Sequence, residues 1–107
     1  MADRYIECEV ARLIAYNVAY MQGQGLVPNK EASLSKVFGS ETVQRVTHTC
    51  LDILGMYGTL GRDKKWTPLE GRIQESWMMS FSSTIAAGTS EIQRNVIASR
   101  GLVLPRG

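Results

Sequence analysis

The sequence predicts an all-α fold of three or four helices in a single domain. Apolar residues recur at intervals of three and four along most of the chain, which is the period of an amphipathic helix. Clusters of glycine and proline separate the periodic stretches, and no stretch alternates apolar and polar residues as a strand does. The length of 107 residues leaves room for one domain of this kind.

The first predicted helix covers residues 2–22. Its apolar residues form one stripe, and tyrosines widen that stripe, which indicates contacts on more than one side of the helix. Gly23 and Gly25 end the helix, and Pro28 prevents its continuation. The stripe comprises Ile6, Val10, Leu13, Ile14, Val18 and Met21, and the tyrosines that widen it are Tyr5, Tyr16 and Tyr20.

The second predicted helix covers residues 30–54, with Asn29 as its N-cap. Threonines interrupt its apolar face, and such a long, half-polar helix is typical of the inside of an assembly. Gly55, Gly58 and Gly61 then break the period, and a basic loop follows. The predicted buried face comprises Leu34, Val37, Phe38, Val46, Cys50, Ile53 and Leu54, and the loop carries Arg62, Lys64 and Lys65.

The third predicted helix covers residues 68–82 and has the clearest start signal in the chain. Thr67 is the expected N-cap, Pro68 suits the first helical position, and Glu70 completes a capping box. The apolar stripe of this helix comprises Leu69, Ile73, Trp77 and Phe81.

The fourth predicted helix covers residues 90–100. The helix opens at Thr89 or Ser90, and Ser90 and Gln93 repeat the capping-box spacing. Gly101 ends it, and we expect an extended tail through Pro105. The apolar face of this helix comprises Ile92, Val96 and Ile97.

Composition and charge exclude several classes of protein. The chain is 44% hydrophobic with a formal net charge of +2, which argues against disorder and against nucleic-acid binding. No apolar run could span a membrane, and Asp3 and Arg4 interrupt any signal-like stretch. Cys8 and Cys50 fit a reducing cytosol as small buried hydrophobes, and His48 points about 200° away from Cys50 on a helix. We therefore expect a cytoplasmic domain with no metal site and no nucleic-acid or membrane partner.

Three local patterns are candidate functional features. The small-residue turn Ala87–Glu91 leads into a helix, where free amides and hydroxyls suit a phosphate or the polar edge of a cofactor; a well-capped helix is the alternative. The glycine-rich break Leu54–Gly58 lets a ligand approach the backbone closely, and a plain helix stop is the alternative. The apolar cluster Trp77–Met79 with Phe81 is either a core stripe or an oligomer interface.

Two sequence blocks carry a resemblance to a known family. Residues 84–98, Thr-Ile-Ala-Ala-Gly-Thr-Ser-Glu-Ile-Gln-Arg-Asn-Val-Ile-Ala, resemble the closing signature of acyl-CoA dehydrogenases. Residues 52–58, Asp-Ile-Leu-Gly-Met-Tyr-Gly, sit where that family has a helix end and a glycine-rich turn. The tail 100–106 is similar to the end of many bacterial members. The order and spacing of the blocks match over essentially the whole chain.

The resemblance implies a fold and an assembly. Residues 1–107 resemble the last three helices of the family's C-terminal four-helix domain, an up-and-down bundle that here lacks its first helix. That domain drives assembly in the family, so the resemblance implies a homo-oligomer, either a dimer or a tetramer. We accordingly expect the chain to be a C-terminal fragment, and a stand-alone helical interaction module that has lost the chemistry is the alternative.

The resemblance also implies a reaction, which is the FAD-dependent α,β-dehydrogenation of an acyl-CoA thioester. Electrons would pass to electron-transferring flavoprotein. Many members carry the catalytic base at the position of Ala87, and alanine cannot accept a proton, so we assign no catalytic residue and expect inactivity alone. Gly88 matches a position along the substrate.

The same resemblance implies a set of FAD contacts, which we expect to bind FAD weakly or not at all in the isolated chain. Asp52 stands where a glutamine commonly reaches the FAD of a neighbouring subunit, and a carboxylate there would repel a pyrophosphate. Met56 replaces a glycine of the family's turn. The predicted cofactor-binding residues are Thr89, Ser90, Glu91, Asp52, Gly55 and Met56.

Overall fold

The computed structural model describes residues 1–62 and 65–105, and this part of the chain contains helices and turns but no strand. The predicted all-α class is therefore confirmed. Lys64 of the basic loop and Arg106 of the tail lie outside the described residues. The α-helices are α1 (Ala2–Gly23), α2 (Asn29–Leu54), α3 (Arg72–Ser83) and α4 (Ser90–Val96), with 3-10 turns at Gly55–Thr59 and Pro68–Gly71 and a π-helical turn at Ile97–Gly101.

Helix α2 is the central element, because α1, α3 and α4 all pack against it. Glu7 of α1 accepts a hydrogen bond from Arg45 at 3.0 Å, which places the start of α1 beside the second half of α2. Arg94 of α4 pairs with Glu41, and in the π-helical turn that follows α4 Arg100 Nη1 donates to Asn29 Oδ1 at 2.9 Å. These contacts make α1 and α4 antiparallel to α2.

The core is small and unusually polar. Among the described residues, Val37 and Pro28 are the only buried apolar side chains. Short hydroxyl side chains let the neighbouring helices approach α2 closely, and they satisfy their own polar atoms: Thr47 Oγ1 donates to Val43 O at 2.8 Å. The predicted apolar face of α2 is wrong at Leu34 and Ile53, which are exposed. The buried polar residues are Ser33, Thr42, Thr47, Ser80 and Ser90.

The buried side of α1 differs from the predicted stripe. Ile14, Val18 and Met21 are half-buried, because they lie on the side that faces α2. The rest of the predicted stripe, Ile6, Val10 and Leu13, is exposed together with Tyr5, Tyr16 and Tyr20. Cys8 is also exposed, contrary to the expectation of a buried thiol.

Two predicted helix starts are wrong in detail. Pro28 rather than Asn29 is the N-cap of α2, and Asn29 is its first residue. Thr67 is the N-cap residue of the 3-10 turn Pro68–Gly71, but its hydroxyl makes no capping hydrogen bond and donates instead to Gly61 O at 2.8 Å. The next residues form a 3-10 turn in which Leu69 and Glu70 have positive φ, so the α-helix begins only at Arg72.

The end of the chain also departs from prediction. Thr89, not Ser90, caps α4, and the α-helix ends at Val96 before the π-helical turn. The expected extended tail is wrong as well, because Leu104 N donates to Ala98 O at 3.1 Å and folds the chain back.

The molecule is elongated and exposes much apolar surface. Its radius of gyration is 16.9 Å, whereas about 13 Å is usual for a compact chain of this length. Its principal extents are 53 × 30 × 22 Å. Among the helices that the structure describes, none has the length and apolar character needed to cross a membrane.

Candidate functional site

The turn between α3 and α4 is closed by one backbone hydrogen bond and by one from the Gln93 side chain. Ser90 N donates to Thr84 O at 3.0 Å, and Gln93 Nε2 donates to Ala87 O at 3.0 Å. Gly88 has φ +92°, and a Cβ on it would lie 2.7 Å from Gln93 Nε2. The turn, which we call the signature turn (residues 84–91), therefore needs glycine at this position.

Two side chains of α2 hold the start of the signature turn in place. Lys36 Nζ donates to Thr84 O at 3.2 Å. Gln44 Nε2 lies 3.4 Å from Ser80 O and 3.5 Å from Thr84 Oγ1. Both residues were missed at the sequence level, because a lysine and a glutamine in a half-polar helix carry no motif. The one available signal was that both residues lie toward the same side of the predicted second helix, which could have indicated a shared contact.

The start of α4 presents polar groups to solvent. Thr89 Oγ1 accepts a hydrogen bond from Ile92 N at 3.3 Å, as an N-cap does. Glu91 is exposed, and its pKa is lowered by a hydrogen bond from its own backbone N–H and by one from the Thr89 hydroxyl. The positive charges of Arg94 and Lys36 lower that pKa further. Glu91 is thus an ionised hydrogen-bond acceptor beside the turn.

A polar groove of about 350 Å³ lies between α2 and the start of α4. Ser90 is only 6% exposed, and its Oγ has no hydrogen-bond partner among the described residues. A buried hydroxyl without a partner can donate to or accept from a polar ligand or a water molecule. The groove is lined by Glu41, Gln44, Arg45, Thr84, Ser90, Glu91 and Arg94.

The second sequence block lies at the other end of α2. Asp52 is exposed, and its Oδ2 lies 3.3 Å from His48 Nδ1. Gly55 ends α2 with φ +55°, and Met56 in the following 3-10 turn is 88% exposed. Gly58 is buried and packs closely on α2: a Cβ on this residue would lie 3.0 Å from the Cβ of Leu54.

The structure brings the residues of the signature turn together and keeps the second block apart. Gly88, Thr89 and Glu91 are close in sequence and in space. Asp52 lies eight residues beyond Gln44 along α2, which corresponds to about 12 Å of helix. The turn that contains Met56 packs against α2 and α3, whereas α4 packs against α2 and its own π-helical continuation. The two blocks therefore do not line one groove.

Fold and site together define an all-helical domain whose last helices carry a glycine-dependent, polar turn. The sequence profile described as "Acyl-CoA dehydrogenase, C-terminal domain" matches residues 1–102. The chain therefore belongs to the acyl-CoA dehydrogenase family, as the C-terminal helical domain of such a protein.

Individual relatives agree with that assignment. Acyl-CoA dehydrogenase FadE26 of Mycobacterium tuberculosis is 31% identical over 99% of this chain and 27% of its own length. The solved Tcur3481-Tcur3483 steroid ACAD has a TM-score of 0.94 at 26% identity, covering 99% of this chain and 28% of that one. The ChsE4-ChsE5 complex from Mycobacterium tuberculosis has a TM-score of 0.88 at 32% identity, and the match covers 96% of this chain and 26% of that one. The chain spans about a quarter of the length of these relatives.

Proposed function

We propose that this chain is the FAD-contacting and oligomerising C-terminal part of a flavin-dependent acyl-CoA dehydrogenase, residues 1–107 forming one helical domain that is inactive alone. The observation that carries the proposal is the signature turn, whose glycine, cap and carboxylate occupy the family's closing signature. FAD, when bound, would accept the hydride removed from the β-carbon of an acyl-CoA thioester.

The signature turn fits the polar edge of a cofactor. The buried Ser90 Oγ lacks a partner, and Thr89 and Glu91 present acceptors at the same edge. Gly88 has no side chain of its own to cover the backbone, and the Gln93 amide fills the position that a Cβ would take. We assign FAD contacts to Thr89, Ser90 and Glu91 and a substrate contact to Gly88.

The second block fits a flavin phosphate poorly. Asp52 adds a negative charge to an exposed surface, and its Oδ2 lies 3.3 Å from the imidazole Nδ1 of His48. Two like charges at about 4 Å repel each other, so a carboxylate in contact with a pyrophosphate is unfavourable. Asp52, Gly55 and Met56 remain proposed contacts to the FAD of a neighbouring subunit, and the distance between the blocks supports their serving a different flavin from the signature turn.

Ala87 leaves this domain without a catalytic base at the family's position. Removal of the weakly acidic α-proton requires a carboxylate whose pKa is raised near the thioester. Ala87 has no proton-accepting atom and stands with φ +56° beside Gly88. The base must therefore come from another segment of the subunit, and electron-transferring flavoprotein is the proposed acceptor for the intact enzyme.

Assembly is the second proposed role. The exposed apolar side chains on α1 and α3 are more than a monomer normally presents, which supports a subunit interface. The solved relatives above are complexes of two named proteins, and this too supports assembly. A homo-oligomer in the cytoplasm remains our expectation.

A titration of the purified chain with FAD, followed by flavin fluorescence, tests the proposal. We expect weak or no saturable binding and no reduction of flavin by an acyl-CoA, because the rest of the flavin site and the base are lacking. Tight stoichiometric binding with turnover would overturn the assignment of an inactive part. Family subunits are expected to carry a central β-domain before the helical domain. The stand-alone module is favoured instead if the natural reading frame contains no such β-domain sequence upstream.

A further inference from the structure

Five charged side chains of alternating sign connect α1, α2 and α4. On α1, Glu7 accepts a hydrogen bond from Arg4 at 2.7 Å and another from Arg45 of α2 at 3.0 Å. On α2, Glu41 Oε2 lies 3.9 Å from Arg45 Nη1, and the other carboxylate oxygen pairs with Arg94 of α4. We call this set the ion-pair network; its members, in order, are Arg4, Glu7, Arg45, Glu41 and Arg94.

Arg45 is the junction of the ion-pair network, because its three guanidinium nitrogens have different partners. Nε donates to Glu7 of α1, Nη2 donates to Thr42 Oγ1 at 3.1 Å, and Nη1 faces Glu41. The guanidinium carbon also lies 5.8 Å from the centre of the Phe38 ring. The guanidinium is planar and its donors have fixed directions, so the position of one partner constrains the positions of the others.

The two carboxylates of the ion-pair network are more sheltered than an ordinary surface carboxylate. The side chain of Glu7 is 23% accessible and that of Glu41 is 29% accessible, whereas that of Glu70 is 80% accessible. Each of the two sheltered carboxylates pairs with two guanidinium groups, and ion pairs are effective chiefly when several charges form a network. Ordering one side chain of the network therefore lowers the entropy cost of ordering the next.

We propose that the ion-pair network couples the docking of α1 to the docking of α4, so that loosening either helix loosens the other. Both helices pack against α2, where Glu41 and Arg45 lie one turn apart on the same face. Glu7 fixes the plane of the Arg45 guanidinium. The fixed guanidinium in turn orients Glu41 toward Arg94. Because the free energy of coupling between two sites is reciprocal, a change at α4 affects α1 to the same extent.

The coupling extends to the polar groove beside the signature turn. Arg45, Glu41 and Arg94 line this groove together with Ser90, whose buried hydroxyl has no partner among the residues that the structure describes. The docking of α1 therefore sets how firmly one wall of the groove is held. By the same coupling, an anionic ligand that draws Arg94 away from Glu41 makes α1 easier to release.

Amide hydrogen exchange of the whole chain, followed residue by residue by NMR, tests this proposal. Glu7→Gln keeps the size of the side chain and removes its charge. We expect the amides of residues 93–96 in α4 to exchange about three-fold faster or more, relative to those of α3, which contains no member of the network. Glu9→Gln is the matched control, because Glu9 is on the same helix and pairs with Arg12 within α1. It should leave the ratio unchanged.

Arg45→Met distinguishes transmission through the network from a general loss of stability. Methionine keeps an apolar stem beside Phe38 and removes all three donors. In that background, Glu7→Gln should no longer change the exchange of α4 relative to α3. If Arg45→Met does not fold, exchange of the wild type and of Glu7→Gln is compared in 1 M sodium chloride, which should reduce their difference about two-fold or more.

Two kinds of result would overturn the coupling. The first is faster exchange in α1 of Glu7→Gln with an unchanged ratio of α4 to α3, which would show that each ion pair acts alone. The second is an effect on α4 that Glu9→Gln reproduces, or one that persists in full in the Arg45→Met background or in high salt. Such an effect would show that Glu7→Gln acts through stability in general.

Discussion

Single residues decide the shape of the signature turn. Gly88 combines a positive φ with a close neighbour, and Thr89 ends the turn by capping α4. The sequence indicated both the turn and a cap at Thr89 or Ser90. It could not distinguish the two, because either hydroxyl satisfies the capping pattern, and the choice depends on the Thr84 carbonyl that accepts from Ser90 N.

Gly88→Ala should destabilise the chain by about 1–2 kcal/mol, since the added Cβ meets Gln93 and the backbone conformation strains any L-residue. Gly39→Ala is the matched control. Gly39 lies inside α2, and a Cβ there would meet no atom within 4 Å apart from the adjacent backbone of its own helix. This variant should therefore increase the free energy of unfolding by about 0.5–1 kcal/mol. Urea unfolding measures both. Equal effects of the two substitutions would contradict the proposed constraint at Gly88.

The lowered pKa of Glu91 predicts a pH dependence of stability. A carboxyl whose pKa is lower in the folded state stabilises the fold above its unfolded pKa, and that contribution is lost as the pH falls through the folded pKa. The wild type should therefore lose more stability on acidification than Glu91→Gln does. Glu70→Gln, which removes another exposed carboxylate, is the control. Thermal melting at a series of pH values measures this loss. Melting temperatures of wild type and Glu91→Gln that fall equally with decreasing pH would contradict this expectation.

At the scale of helices, periodicity was a good guide to where helices lie and a poor guide to what they bury. Helix α2 is packed on several sides by α1, α3 and α4, so no single stripe describes its buried surface. Its close contacts are made by small hydroxyl residues such as Thr42 and Thr47, which hydropathy treats as surface. The capping box predicted at Thr67 does not form, because the Thr67 hydroxyl donates to the Gly61 carbonyl six residues earlier and the following turn is 3-10 rather than α-helical.

Lys36 links α2 to the signature turn and offers an element-scale test. Lys36→Met keeps the length of the side chain and removes the donor to Thr84 O. We expect a loss of about 1–2 kcal/mol and faster hydrogen exchange at the amide of Ser90, which donates to the same carbonyl. Lys36→Arg should restore most of the protection. Unchanged exchange at Ser90 in the methionine variant would show that Lys36 does not hold the turn.

The whole molecule has the character of a part that packs against other surfaces. Its core contains little buried apolar area, its shape is elongated, and many large apolar side chains are exposed. The family assignment explains this, because the chain corresponds to about a quarter of its relatives. Length and composition alone could not indicate it, since 107 residues with a mild charge also suit a complete small domain.

The flavin content of a chimera tests the central claim most directly. Residues 1–102 would replace the matching C-terminal region of a family member that carries a glutamate at the position of Ala87. We predict that the assembled chimera binds flavin, that Asp52→Gln raises its flavin content, and that an acyl-CoA bleaches the flavin only after Ala87→Glu. A folded, assembled chimera that excludes flavin even with Asp52→Gln, or one that is bleached with Ala87 in place, would contradict the account.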